Sequence, residues 1–155
     1  MPTRRIYVPL THEQVRELAA ERLLAAPLQG YAAGSPGRVD ARLSPAASQD
    51  EAEHLAFLAA AGHAARLDEG ARRIIASADA PEDTIREVPG TASGPVPVVI
   101  AEDLPLRALA SLHIDEAVAG AGDDVDEDAD ESDTEPDLLW YDITELDTVV
   151  GELDR

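Results

Sequence analysis

The 155-residue chain contains no cysteine, no lysine and no asparagine. Without cysteine there is no disulfide, no thiolate nucleophile and no Cys-ligated zinc or iron–sulfur cluster, a composition that suits a reduced compartment and points to the cytoplasm. Without lysine there is no P-loop lysine, Schiff-base lysine or lysine general base; all 12 basic residues are arginine. Large aromatic side chains are scarce, with one Trp, one Phe and three Tyr. No run approaches the roughly 18 consecutive apolar residues of a membrane helix, and Arg4-Arg5 is not followed by the apolar stretch of a signal peptide. No membrane partner is expected.

Acid is plentiful and unevenly placed. The formal charge is −20, with 32 acidic residues against the 12 arginines. Residues 1–122 hold 17 acids and 11 Arg, residues 123–137 hold 10 acids and no base, and residues 138–155 hold 5 acids and one Arg. Half of the net charge therefore sits in one short run. Direct binding to nucleic acid is disfavoured, because phosphate contacts need clustered cations. The run itself lacks apolar residues and repels itself, so residues 118–137 are expected to be a disordered acidic linker.

On either side of that linker the patterning is that of a folded domain. Arg4 to Val8 reads as a strand stopped by Pro9. Thr11 opens a helix with Gln14 as its capping box and Val15, Leu18, Ala19 and Leu23 on one face, closed by Pro27. Leu28–Ala33 is a strand interrupted by Gly30, and 34–49 is a loop rich in Gly and Pro. Asp50, Glu51 and Glu53 charge the first turn of a second helix, which is apolar on nearly every side from Leu55 to Ala65 and so calls for burial on two sides, under a sheet or in a homodimer. Ile74–Pro81 and Val98–Pro105 echo one another at a spacing of 24 residues, each an apolar strand ending in acid-x-Pro with a further strand to follow.

The segments Arg4-Arg5-Ile6-Tyr7-Val8-Pro9, Asp50-Glu51-Ala52-Glu53-His54-Leu55, Arg72-Arg73-Ile74-Ile75, Ala110-Ser111-Leu112-His113-Ile114-Asp115-Glu116 and Leu138-Leu139-Trp140-Tyr141 resemble the small, acidic, alanine-rich actinobacterial proteins grouped as a domain of unknown function. The resemblance covers most of the chain apart from 34–49 and the acidic run. It implies no activity, cofactor or site residue.

Several patterns imitate reactive sites. Asp124, Asp126, Asp128, Asp130, Ser132 and Glu135 have the spacing of a calcium loop, but Ala129 stands where the turn needs glycine and no helices flank it; the expectation is a solvated linker. Ser111, His113 and Asp115 alternate on one strand face, too far apart for a relay, and are expected to face solvent while Leu112 and Ile114 face the core. Glu51 and His54 make one carboxylate–imidazole pair where a di-iron site needs two. No catalytic residue, metal or cofactor is expected.

Trp140 and Tyr141, beyond the acidic run, are the least generic feature. They either fill a core short of large side chains or serve as aromatic anchors for a partner. The overall expectation is α+β: a two-layer domain over 1–117 with a mostly antiparallel sheet of about five or six strands under two main helices, the linker 118–137, and 138–155 returning as a strand plus short helix. The expected role is a non-catalytic cytoplasmic interaction or regulatory module engaging a basic protein partner. The alternative is a small hydrolase or transferase gathering Asp79, Asp103, Arg107 and His113 at one end of the sheet.

Overall fold

A computed structural model describes residues 2–33, 45–67, 72–88, 95–115 and 138–154, with side chains from residue 51 onward in the second segment. Most of the expected loop over 34–49 and all of the acidic run with its calcium-loop spacing lie outside these residues.

Nine strands and three helices follow in the order β1 (Thr3–Leu10), α1 (His12–Glu21), β2 (Leu23–Leu24), β3 (Leu28–Ala32), α2 (Pro45–Leu67), β4 (Ile74–Pro81), β5 (Ile85–Glu87), β6 (Val96–Ile100), β7 (Leu104–Pro105), β8 (Leu109–Asp115), β9 (Leu138–Asp142) and α3 (Leu146–Leu153). Seven strands form one sheet in the order β5-β6-β3-β1-β4-β8-β9, every neighbouring pair antiparallel, while β2 and β7 pair separately. The fold is thus α+β with a wider sheet than expected. It is also covered on both faces rather than one, because its central strands are apolar on both sides. Ile6, Val8, Leu10, Ala76, Leu112 and Ile114 point into the main core with Val15 and Leu18 of α1 and Leu146, Val149 and Leu153 of α3. Tyr7 and Ile75 point the other way, against Ala56, Ala60, Ala61 and Ala64 of α2.

Local chemistry explains the elements. At the start of α1 the Thr11 hydroxyl accepts from the Gln14 amide at 3.1 Å, and the Gln14 side chain accepts from the Thr11 amide at 2.9 Å. The helix ends earlier than Pro27, at Arg22, whose φ of 60° takes the left-handed conformation that closes a helix. Pro9 does not stop β1. It lies beyond the last β1–β3 pair, Tyr7 with Tyr31, so no bond on that side needs its missing N–H. The 24-residue echo holds in part: β4 runs unbroken to Pro81, whereas the second apolar strand, β6, ends at Ile100 and Leu104–Pro105 pairs in the smaller sheet; after each proline a 3₁₀ turn (Glu82–Thr84 and Leu106–Ala108) leads into a further strand.

α2 departs from its sequence reading. Its alanine face is buried on the sheet, but Leu55 is 43% exposed on the outer side. Among the described residues the helix is buried on one side only, since alanines at one-turn spacing meet the sheet closely while the opposite side faces away. No helix among the described residues is long and apolar enough to cross a membrane.

Gly30 sits in β3 between Leu28 and Ala32, and a Cβ there would lie 3.0 Å from the Tyr7 carbonyl oxygen and 3.3 Å from Val8 Cγ2. Gly30→Val should therefore cost about 1–3 kcal/mol by overpacking. Urea denaturation checks this, and a variant as stable as the parent would show that the central ladder yields.

Candidate functional site

α2 packs on β1, β3 and β4. The two strands beyond, β8 and β9, keep part of the same face open. The result is a groove of about 440 Å³ lined by Arg5, Tyr7, Glu53, His54, Phe57, Ser77, Ser111, His113, Leu138 and Trp140. Strand alternation selects these residues. Tyr7 pairs with Ser77 and Ser77 with Ser111, and in the next row His113 pairs with Trp140, so their side chains share one face.

The floor is small, polar and buried. Ser77 and Ser111 are 2% and 6% exposed, and each hydroxyl oxygen lies 3.4 Å from His113 Nε2. The Phe57 ring stands edge-on to the imidazole at 4.8 Å. Burial holds the His113 pKa below its ordinary value, so the ring is neutral near neutral pH. At one end Arg5 donates to both carboxylate oxygens of Asp79, at 2.8 and 3.1 Å, which raises the guanidinium pKa further. Burial, and then the negative charge of Glu53, push the Tyr7 hydroxyl up, so it remains protonated.

Ser111, His113 and Asp115 do share a face, but not the solvent. It is the face of the groove, where Ser111 is buried and His113 and Asp115 are half-buried. They form no relay. Asp115 accepts from Arg73 at 2.6 and 2.8 Å through the guanidinium and at 2.7 Å through the backbone amide. Burial alone would push the Asp115 carboxyl up, but these bonds outweigh it and hold it below the usual carboxylate value. On α2, Glu51 is exposed and His54 stands at the groove, while His63 meets the Tyr31 hydroxyl at 3.2 Å.

Three of the four hydrolase candidates come together and the fourth does not. Asp79, Asp103 and Arg107 line a second hollow of about 460 Å³ with Thr3, Thr84 and Glu102, whereas His113 lies in the groove under α2. Asp103 is engaged in holding the Ala26 amide, at 2.7 Å. Among the described residues no three His, Asp or Glu side chains come together as a metal ion would require.

Trp140 and Tyr141 part company because neighbours on a strand face opposite ways. Tyr141 packs against the main core, and Trp140 stands 61% exposed at the groove's outer wall. Sequence reasoning missed Arg5, Tyr7, Phe57 and Ser77 as groove residues. The period-two alternation in β1 and β4 was the available signal, but it does not say which face a helix leaves open.

Sheet order, two covered faces and an open groove define an antiparallel α+β protein. The chain matches a family of unknown function, DUF6912, over residues 4–150, and it belongs to that family. No curated protein and no solved structure matches it.

The neutral state of His113 has a stability consequence. An imidazole whose folded pKa lies below 6.5 takes up its proton first in the unfolded chain, so stability falls as pH drops through and below that value. His63 contributes in the same direction, through burial and then Arg66. His113→Gln should flatten the loss of stability between about pH 7.5 and about pH 5.5, leaving the His63 part. Urea midpoints across that range test it, and an unchanged slope would place the proton uptake elsewhere.

Proposed function

We propose that this protein is a non-catalytic interaction module of the cytoplasm, which pairs the free edge of β9 with an extended, basic segment of a protein partner. The observation that carries this reading is the edge itself. β9 is the last strand of the sheet, and among the described residues nothing pairs with its outer side. Natural sheets blunt such edges with short strands, charge, proline or bulges. The opposite edge follows that rule, since β5 has three residues, two of them Arg86 and Glu87. β9 does not: its sequence is Leu-Leu-Trp-Tyr-Asp, with Leu139 38% and Trp140 61% exposed. An open, apolar strand edge is the template that strand addition uses, with main-chain hydrogen bonds supplying affinity.

Charge chooses the partner. The ten acids of 123–137 immediately precede β9 in the sequence, which favours a basic segment and speeds its encounter. A second copy pairing edge to edge would bring two such runs together, so self-pairing through β9 is disfavoured. The cysteine-free composition fits the reduced cytoplasm.

A small hydrolase or transferase is the second reading, favoured by the two hydroxyls on His113 Nε2. It predicts covalent labelling of Ser77 or Ser111 by a fluorophosphonate probe, which the interaction reading does not.

Trp140 is the sole tryptophan, so its fluorescence reports directly on the edge. Titration with an extended peptide of alternating Arg and Val should shift its emission, and the affinity should fall as salt rises. N-methylation of one alternate set of peptide amides should abolish binding while the other set is tolerated, because a strand presents only every second N–H to its neighbour. Equal tolerance of both sets, or no response, would overturn pairing at the β9 edge.

A further inference from the structure

We infer that the groove between α2 and β9 receives the guanidinium group of an arginine carried by the segment that pairs with β9, with Trp140 as its stacking face. The edge-pairing reading supplies only the source of that arginine; the chemistry of the groove stands on its own residues.

The groove and the edge are continuous, because Trp140 belongs to both. A residue of an added strand lying opposite Trp140 shares its face of the sheet, so its side chain is delivered to the groove side. The lining then selects among side chains. The floor consists of the Ser77 and Ser111 hydroxyls, both buried, each 3.4 Å from His113 Nε2. With Nε2 taken as the acceptor, its single lone pair takes one serine proton, and the hydroxyl oxygens keep lone pairs to receive donors. A guanidinium has five N–H donors and no acceptor, which suits such a floor. An apolar side chain would seal those oxygen lone pairs away from any donor, at a free-energy cost.

Electrostatics points the same way. Arg5 is committed to Asp79 through two hydrogen bonds, and Glu53 adds a carboxylate to the lining, so the three together carry one net negative charge. An anion would meet Glu53, with the Arg5 guanidinium already engaged by Asp79. A cation meets a carboxylate together with the rings of Trp140, Tyr7 and Phe57. Arginine is preferred to lysine because its planar head stacks on an indole while its edge still donates hydrogen bonds.

The test uses the full chain and two probes. Ethylguanidinium, followed through the Trp140 indole N–H resonance, should shift that resonance in saturable fashion, whereas acetate at the same concentration should not. The Arg-Val peptide is then scanned with citrulline, which keeps the shape of arginine and removes its charge. One position should lose at least about fivefold in affinity, and Trp140→Leu should erase the difference between arginine and citrulline at that position. Glu53→Gln should weaken the arginine peptide more than the citrulline peptide. If the scan is flat while binding still depends on one set of peptide amides, the arginine inference fails and edge pairing stands. If ethylguanidinium shifts Trp140 but the peptide does not bind, the groove assignment stands and edge pairing fails. Silence with both probes overturns both.

Discussion

The antiparallel ladder between β1 and β4 sets the geometry of the rest of the molecule. Its eight paired positions run from Thr3–Pro81 to Leu10–Ile74 in one unbroken register. Alternation along this ladder sends Ile6, Val8, Ala76 and Ala78 to one side and Tyr7 and Ile75 to the other. A sheet apolar on both sides at its centre must be covered twice, and the helices divide accordingly. α1 and α3 close the larger core, and among the described residues α2 lies alone across the other face.

That division produces the groove. α2 meets the sheet through alanines, which allow close approach but extend cover only over the strands directly beneath. From β4 outward the face carries Ser77, Ser111 and His113, too small and polar to demand a second helix, and among the described residues the sheet ends in β9 with Trp140 on its rim. The side chains that could bind something are therefore where apolar cover runs out. Two other ion pairs serve the scaffold: the less exposed pair of Arg73 with Asp115 fixes the start of β4 against the end of β8, and the exposed pair of Arg16 with Asp154 joins α1 to the end of α3.

Much of the fold was legible residue by residue. The Thr11–Gln14 capping box, the alternation in β1, β4 and β8, and the proline-to-turn part of the 24-residue echo rest on local chemistry or short-range periodicity, and each has its counterpart in the structure. The misreadings share one cause. Pro9 read as a stop because its missing N–H matters only if a neighbour needs it, and the neighbour is distant in sequence. Ser111, His113 and Asp115 read as solvent-facing because alternation separates two faces without telling which is covered. Trp140 and Tyr141 read as a pair, although a strand separates adjacent residues.

The sequence by itself determined the class of the chain: an antiparallel α+β domain without cysteine or lysine chemistry, whose acid is concentrated in one run. These properties follow from composition and from periods of two and 3.6 residues, which need no knowledge of distant contacts. Only the tertiary structure decided that Arg5, Tyr7, Phe57, Ser77, His113 and Trp140 line one groove and that β9 ends the sheet. Strand order joins residues up to 135 positions apart, and no local pattern encodes which edge is left open or how far a helix reaches across a face.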